Sequence, residues 1–292
     1  MNIVILLPVK NEEWILPTTI IQLKKISKNI IVFNQNSIDK TSQILAEHDV
    51  QEFKNKNLRH SNKVRWEMLT KSREIYGYDN FIICIDADEL LPLNHFNKFF
   101  STVYKYDPGT VFSSPWLQMW RSKTHYRNDN SVWNPKNNRK DYMFIDSKSL
   151  KYENHFVIND HTSRVPSIGI LKKVELKFPL IHLQFMNWDR SQIKQIWYQF
   201  HEILEGINAE EINNKYKNSF YNSNLNQVRT KRVKKSWLRE INFDSELLNC
   251  NPEETWYYSE IKKLIIQNGI KKFESLNVWD LSYMINLKKI FT

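Results

Sequence analysis

Apolar runs and helix-like segments alternate over the first 90 residues of the chain. Apolar residues fill positions 3–7, 30–33 and 81–85, and residues 50–53 form a weaker candidate of the same kind. Continuous apolar runs are typical of strands that are buried on both faces of a parallel sheet. The segments between them have apolar positions at helical spacing, most clearly at residues 62–76. This pattern predicts βαβ units, whose right-handed crossovers place the carboxyl ends of the strands at one edge.

The pattern becomes mixed after residue 90. Residues 93–105 are predicted to be helical and residues 110–120 extended, whereas the polar and aromatic residues 121–142 predict a loop that faces a substrate. Strand-like pieces continue to residue 183, and helical spacing returns at residues 190–205. We therefore predict a catalytic domain at residues 1–190 and a helical, basic C-terminal extension at residues 191–292. In the turn after the second strand, Asp39 is a candidate N-cap, and Asn36 is a candidate for a left-handed backbone position.

Composition narrows the class of protein. Hydrophobic residues make up 41% of the 292 residues and aromatic residues 13%, which is enough for a packed core and argues against wholesale disorder. The formal charge of +10 favours polyanionic partners without choosing among them. The two cysteines, Cys84 and Cys250, form no CxxC pair, so neither a disulfide framework nor a structural zinc site is expected. No apolar stretch reaches the length of a membrane span, and we expect a cytoplasmic protein.

Two aspartates directly follow the strand predicted at residues 81–85. Asp86 and Asp88 are two positions apart at the end of a buried strand, so both carboxylates are predicted to point the same way. Two adjacent carboxylates repel each other unless a cation lies between them, and oxygen ligands at an open sheet edge suit Mg²⁺ or Mn²⁺. The alternative is a pair of acids that caps the next helix. The preceding apolar strand and a third acid, Glu89, favour the metal site.

Other polar clusters follow further predicted strands. Residues 8–13 follow the first strand, residues 34–41 follow the second, and His182 follows a later apolar run. Loops at this edge of a doubly wound sheet contribute to nucleotide pockets, and histidine is a competent ligand for Mn²⁺-like ions. Simple helix capping and a purely structural histidine remain open alternatives for these clusters.

Taken together, these motifs resemble those of the family 2 glycosyltransferases with the GT-A fold. That family typically has a strand ending in P-x-x-N-E, a strand ending in a D-D-G-S-x-D-x-T-like turn, and a strand ending in D-x-D. Residues 8–12, 34–41 and 86–88 match these motifs in order and spacing. The resemblance implies an α/β, Rossmann-like mixed sheet flanked by helices. It also implies a metal-dependent hexosyltransferase-like enzyme that takes its sugar from a nucleotide-diphosphate donor.

The resemblance also implies roles for particular residues. The donor site would be formed by Pro8, Asn11, Glu12, Asn34, Asp39, Arg65 and Asp86. Asp88 would bind the metal. Asp86 would approach the ribose or the donor sugar and also contribute to the metal site, and His182 would complete the metal shell. Asn34 departs from the family pattern, in which an acid at this place often contacts the base, so the base preference stays open.

The acceptor side is less clearly marked in the sequence. If the reaction inverts the anomeric centre, the resemblance implies a carboxylate base after residue 88, and the candidates are Asp141, Asp146, Glu153 and Asp160, of which Asp160 is favoured. Trp116, Trp120, Tyr126 and Trp133 are candidates for stacking on a sugar. The basic segment 229–239 is a candidate contact for an anionic membrane or a lipid-diphosphate acceptor, although a solvated helix face is the default interpretation.

Three other functions remain as alternatives. A metal-dependent phosphatase also places D-x-D after an apolar strand, but Leu90 stands where those enzymes usually have Thr or Val. A sugar nucleotidyltransferase would need a glycine-rich loop after the first strand, and residues 7–14 contain no glycine. A nucleic-acid or anionic-surface binding protein rests on the net charge alone, because the sequence contains no recognised nucleic-acid-binding motif. The sequence therefore favours a glycosyltransferase acting on a glycan or lipid-linked acceptor.

Overall fold

The apolar runs at the start of the chain become adjacent parallel strands. The computed structural model describes residues 1–56, 62–131, 133–153, 163–217 and 228–292. The first half contains β1 (Ile3–Val9), α1 (Leu16–Lys24), β2 (Ile30–Asn34), α2 (Thr41–Glu47), β3 (Glu52–Lys54), α3 (Asn62–Tyr76) and β4 (Phe81–Cys84). β1 pairs in parallel with both β2 and β4, and β2 pairs in parallel with β3. The βαβ prediction is therefore confirmed, and α3 has the predicted bounds.

The order of these strands creates a crevice between β1 and β4. The chain builds outward from β1 through β2 to β3, and then returns to place β4 on the other side of β1. In open α/β sheets, ligands bind outside the carboxyl ends of the strands at such a reversal. The loops that follow β1 and β4 carry residues 10–15 and 85–88, so the fold brings these two motifs to the same crevice.

The second half of the chain makes the sheet mixed. Its strands are β5 (Glu89–Leu90), β6 (Thr110–Gln118), β7 (His125–Arg127), β8 (Arg139–Ile145), β9 (Lys172–Glu175), β10 (Leu180–His182) and β11 (Thr230–Arg232). β8 lies antiparallel between β4 and β6, while β6 pairs in parallel with β10. The mixed α/β fold expected from the resemblance is confirmed.

The loop predicted at residues 121–142 is wrong in part. This region contains β7 and the first residues of β8, and β7 pairs with β11 outside the main sheet. Such a short, peripheral pair needs few apolar residues, so its pattern gave no strand signal. Trp120 and Tyr126, which were candidates for sugar stacking, are 4% and 8% exposed and belong to hydrophobic clusters.

Helices dominate the chain after β10. α4 (Leu93–Phe100) lies between β5 and β6, and the helices after β10 are α5 (Trp188–Leu204), α6 (Ala209–Tyr216), α7 (Lys235–Leu238), α8 (Trp256–Asn268) and α9 (Ser282–Phe291). Apolar residues of α5, α8 and α9, including Phe200, Ile261 and Leu287, pack into a core of their own. The helical C-terminal region is as predicted, while the boundary at residue 190 stays a prediction. In the part of the chain that the structure describes, no helix is long and apolar enough to cross a membrane.

The turn after β2 has the left-handed residue that the sequence indicated. Asn36 is exposed and has a φ of 54°. Asp39 is not the N-cap of α2, because the helix begins at Thr41 and Lys40 holds the cap position. The Asp39 carboxylate nevertheless accepts a hydrogen bond from the Thr41 N–H.

Asn36 provides a test of this turn. We expect Asn36→Ala to lower the free energy of unfolding by about 1 kcal/mol, since alanine pays the steric cost of the left-handed region. Asn36→Gly should change it by less than about 0.5 kcal/mol, because glycine adopts that region freely. Urea unfolding of both variants measures the difference. Equal stabilities would contradict the assigned conformation.

Candidate active site

The loops after β1 and β2 are tied together by hydrogen bonds. Asn11 has a φ of 52°. Its backbone N–H donates to Ser37 Oγ (2.9 Å), and its side-chain Oδ1 accepts from the Ile38 N–H (2.8 Å). Further along both loops, the Glu13 N–H donates to Asp39 Oδ2 (3.0 Å). The two predicted motifs are therefore brought together, with Asn11 and Asp39 holding the shape of the two loops.

Two other predicted pocket residues lie beneath these loops. Pro8 is buried within β1, opposite Phe33 of β2. Asn34 is fully buried, and its Nδ2 donates to Ser42 Oγ (3.0 Å) and Glu52 Oε1 (2.6 Å). Because its Oδ1 also accepts from the turn, Asn34 supports the pocket from below.

The two aspartates after β4 point to different partners. β4 ends at Cys84, and residues 87–88 form a turn, so the alternation of a strand no longer applies to Asp86 and Asp88. Asp86 accepts hydrogen bonds from Arg65 Nη2 (2.8 Å) and Arg164 Nη2 (2.7 Å). Arg65 thus lies beside the predicted aspartate, and its side chain is 3% exposed. With both oxygens engaged by guanidinium groups, Asp86 sits in an ionic cluster.

Asp88 instead faces His182. The antiparallel pairing of β5 with β10 places Glu89 opposite His182, and the Leu183 N–H donates to the Asp88 carbonyl. Asp88 Oδ2 lies 3.4 Å from His182 Nε2 and 3.9 Å from Lys194 Nζ. Burial opposes the charge of Asp88, but the nearby His182 and Lys194 outweigh it and hold the pKa of this carboxyl well below its usual range. Asp88 is therefore ionised at neutral pH.

The orientation of His182 is fixed by its other ring nitrogen. Gln118 Oε1 lies 2.5 Å from His182 Nδ1, and both side chains are buried. Because an amide oxygen lies at Nδ1, Nε2 is the ring nitrogen that faces Asp88. Histidines that bind metals generally have such a partner at the second nitrogen.

A small cleft lies between the loop after β1 and the start of α5. It is lined by Glu12, Trp14, Asp88, Gln184, Arg190, Ser191 and Lys194. Glu12 Oε2 accepts from Trp14 Nε1 (2.6 Å) and Arg190 Nη2 (3.2 Å). Burial raises the pKa of Glu12, and the positive charges of Arg190 and Lys194 offset only part of that shift.

Lys194 stays charged in this cleft. Burial disfavours its ammonium group, but the carboxylates of Asp88 and Glu12 favour it, and the pKa of Lys194 lies above its usual range. Arg190 is sandwiched between aromatic rings, with its guanidinium carbon 4.9 Å from the Trp14 ring centroid and 5.1 Å from that of Tyr257. The cleft thus presents two fixed cations beside an ionised carboxylate, which suits a ligand that carries both phosphate oxygens and a divalent cation.

Glu89 holds a further arginine against the site. It is fully buried and accepts from Trp116 Nε1 (2.8 Å) and Arg164 Nη1 (2.5 Å). The Trp116 indole stacks on the His182 ring, with centroids 4.6 Å apart and planes at 23°. The third acid of the sequence motif is therefore a positioning residue that orients Trp116 and Arg164.

The structure brings Asp88 and His182 together, whereas the oxygens of Asp86 pair with Arg65 and Arg164. Over residues 1–56, 62–131, 133–153, 163–217 and 228–292, no group of three or more His, Cys, Asp or Glu side chains is arranged to hold a metal ion. Asp88 and His182 offer one oxygen and one nitrogen ligand, so the remaining ligands of an ion would come from the substrate and water, as is usual for Mg²⁺ bound with phosphates.

The candidate bases are distributed differently. Asp146 is buried and binds Arg73 through both oxygens, and Asp141 pairs with the exposed Lys173. Lys140 and Tyr142 share the face of β8 that carries the site, so Asp141 points to the opposite face. Asp160 lies outside the described residues, and its role as the base stays a prediction.

Sequence reasoning missed the basic residues of the site. Arg190 and Lys194 are one helical turn apart on α5, so their i, i+4 spacing could have marked a cationic face next to the crevice. Only the apolar spacing of this helix was used in the prediction. Gln118 and Arg164 had no local signal, because only the tertiary fold brings them to His182 and Asp86.

Comparison with known families gives one match along the chain. The family model described as "Glycosyl transferase family 2" matches residues 4–164, which is more than half of the 292 residues. No curated protein matches the sequence.

Several solved structures are partly similar. Glucosyl-3-phosphoglycerate synthase from Mycobacterium tuberculosis, in complex with Mn²⁺ and uridine-diphosphate-glucose, is 17% identical with a TM-score of 0.29, covering 40% of this chain and 43% of its own. A cytidylyltransferase from Leptospira borgpetersenii serovar Hardjo-bovis is 17% identical with a TM-score of 0.29, covering 39% of this chain and 54% of its own. The chain thus spans about half the length of these proteins, and such partial similarity assigns no activity to it.

Proposed function

Because this chain belongs to glycosyl transferase family 2, we propose that it transfers a sugar from a nucleotide-diphosphate donor to an acceptor, with the help of a divalent cation. The acceptor we propose is a glycan or a lipid-linked molecule. The observation that carries the proposal is the pairing of ionised Asp88 with His182 Nε2 at the carboxyl edge of the sheet.

The residues at this edge fit Mn²⁺ or Mg²⁺. Asp88 supplies an anionic oxygen, and the contact of His182 Nδ1 with Gln118 leaves Nε2 available as a ligand. When bound, the cation would offset the negative charge that develops on the leaving diphosphate. Asp86, whose oxygens contact Arg65 and Arg164, would act beside the donor sugar and not as a principal metal ligand.

The cleft beside Asp88 supports binding of the diphosphate. Lys194 and Arg190 are held in place by carboxylates and aromatic rings, so they would bind phosphate oxygens without a large entropic cost of ordering. The loops tied together by Asn11 and Asp39 would hold the nucleoside above β1 and β2. The proposed reaction inverts the anomeric centre, with Asp160 as the base that accepts the proton of the acceptor hydroxyl.

A thermal-shift panel of nucleoside diphosphates tests this function. We expect the diphosphate of one nucleobase to stabilise the protein clearly more than the others do. At a concentration a hundredfold above its Kd, this ligand should raise the free energy of unfolding by about 2.7 kcal/mol over that of the ligand-free protein. The stabilisation should need Mn²⁺ or Mg²⁺ and should be lost on addition of EDTA. The matching nucleoside monophosphates serve as controls, since they lack the second phosphate. If no nucleoside diphosphate stabilises the protein with either cation, the proposed function is wrong.

A further inference from the structure

Two cations, Lys140 and Arg164, lie near the Asp88–His182 pair and are not needed to bind the donor diphosphate. Lys140 Nζ lies 4.2 Å from the Trp116 ring centroid, and the Arg164 guanidinium carbon lies 5.9 Å from it. The β8–β6 register places Lys140 opposite Ser114, so Lys140 and Trp116 share one face of the sheet, at the edge that also carries His182. The Trp116 indole therefore stacks on His182 and also has two cations, Lys140 and Arg164, close to its ring.

Lys140 differs from the two arginines in its partners. Arg65 forms an ion pair with Asp86, and Arg164 forms ion pairs with Asp86 and Glu89. Lys140 forms no ion pair within the described parts of the chain.

The surroundings of Lys140 disfavour its charge. Burial lowers the pKa of Lys140, and the neighbouring Arg164 lowers it further, although Glu89 and Asp86 act in the opposite direction. An anion bound near Lys140 would relieve both effects, since it would pair with the ammonium group and screen it from Arg164. A half-buried lysine held on an aromatic ring without a carboxylate partner is therefore suited to a ligand that brings its own negative charge.

We propose that Lys140 and Arg164, placed over Trp116, form a subsite for a phosphate or carboxylate group of the acceptor. This inference rests on the proposed function, because it takes the donor diphosphate to lie at Asp88 and Lys194. Lys140 lies on β8, beyond β4 in the sheet and away from the nucleotide loops after β1 and β2. An anion near Lys140 would therefore belong to the second substrate, whose reacting hydroxyl must come close to the Asp88–His182 pair.

Titration calorimetry with inorganic phosphate tests the subsite. The protein is first saturated with Mg²⁺ and the nucleoside diphosphate that binds best in the panel, so that the donor site is occupied. We expect Lys140→Gln to weaken phosphate binding about tenfold or more, as for a lost charge-assisted hydrogen bond. Lys140→Arg should restore most of the affinity. Lys98→Gln is the matched control, because Lys98 is an exposed lysine on α4, and it should leave the affinity unchanged.

A second titration distinguishes the acceptor from the donor. Lys140→Gln should leave the affinity for the nucleoside diphosphate within about twofold of that of the unaltered protein. Equal phosphate affinity in Lys140→Gln and Lys98→Gln would overturn the subsite. A nucleoside diphosphate affinity that falls as much as the phosphate affinity would assign Lys140 to the donor and overturn the acceptor assignment. If no nucleoside diphosphate binds at all, the proposed function fails, and the phosphate titration of the free protein still tests the subsite.

Discussion

Asp88→Asn is expected to abolish the effect of a divalent cation on nucleoside diphosphate binding and to lower the transfer rate about 10²–10³-fold. The loss of one group that stabilises charge in a transition state typically costs about 3–4 kcal/mol, which corresponds to such a factor. Asparagine keeps the size of the side chain but removes the negative charge that faces His182 Nε2 and Lys194. Titration calorimetry with and without Mn²⁺ measures the cation effect directly, without knowledge of the acceptor.

Asp86→Asn is the matched control for this prediction. It removes a carboxylate only two residues away, but one whose oxygens contact Arg65 and Arg164. We expect this variant to lose stability and to keep a clear Mn²⁺ dependence of nucleotide binding. If Asp88→Asn retained the Mn²⁺ dependence while Asp86→Asn lost it, Asp86 and not Asp88 would be the metal ligand.

The sheet could be predicted from the sequence because its buried strands have a distinctive pattern. β1 and β4 are buried on both faces, so every residue in them must be apolar, and the runs at residues 3–7 and 81–85 record this directly. The start of β8, which falls in the predicted loop, was missed because its first three residues are only partly buried and include Arg139 and Lys140. A strand that lies next to the site carries polar residues that serve the site, and these residues mask the apolar periodicity of the strand.

The candidate site was predictable in its location but only partly in its contacts. The order of the strands places all the loops of interest at one edge, so the convergence of Glu12, Asp88 and His182 followed from local patterns. The direction of Asp86 did not, because it depends on where β4 ends and on Arg164, which is 78 residues away in the chain. Long-range ion pairs of this kind leave no mark in the spacing of a single sequence.

Asp146→Asn is expected to lower the free energy of unfolding by about 3–5 kcal/mol without changing nucleotide affinity, since removal of one partner leaves a buried charge uncompensated. The Asp146 side chain is 1% exposed and accepts from Arg73 Nε (2.9 Å) and Nη2 (2.7 Å). Arg73 also donates to the Ser147 and Leu150 carbonyls, so it ties α3 to the end of β8. Urea unfolding at neutral pH measures the loss.

Asp141→Asn shows how much of this loss comes from burial. Asp141 also forms a close ion pair, with its Oδ2 2.6 Å from Lys173 Nζ, but that lysine is 58% exposed. Exposed ion pairs contribute about 0–1 kcal/mol, so Asp141→Asn should cost no more than that. Both aspartates were candidate bases. Loss of a structural carboxylate lowers stability, whereas loss of a catalytic base lowers transfer activity, so the two roles can be measured separately. Should Asp146→Asn fold as stably as Asp141→Asn and yet lose transfer activity, Asp146 would be part of the reaction and not of the scaffold.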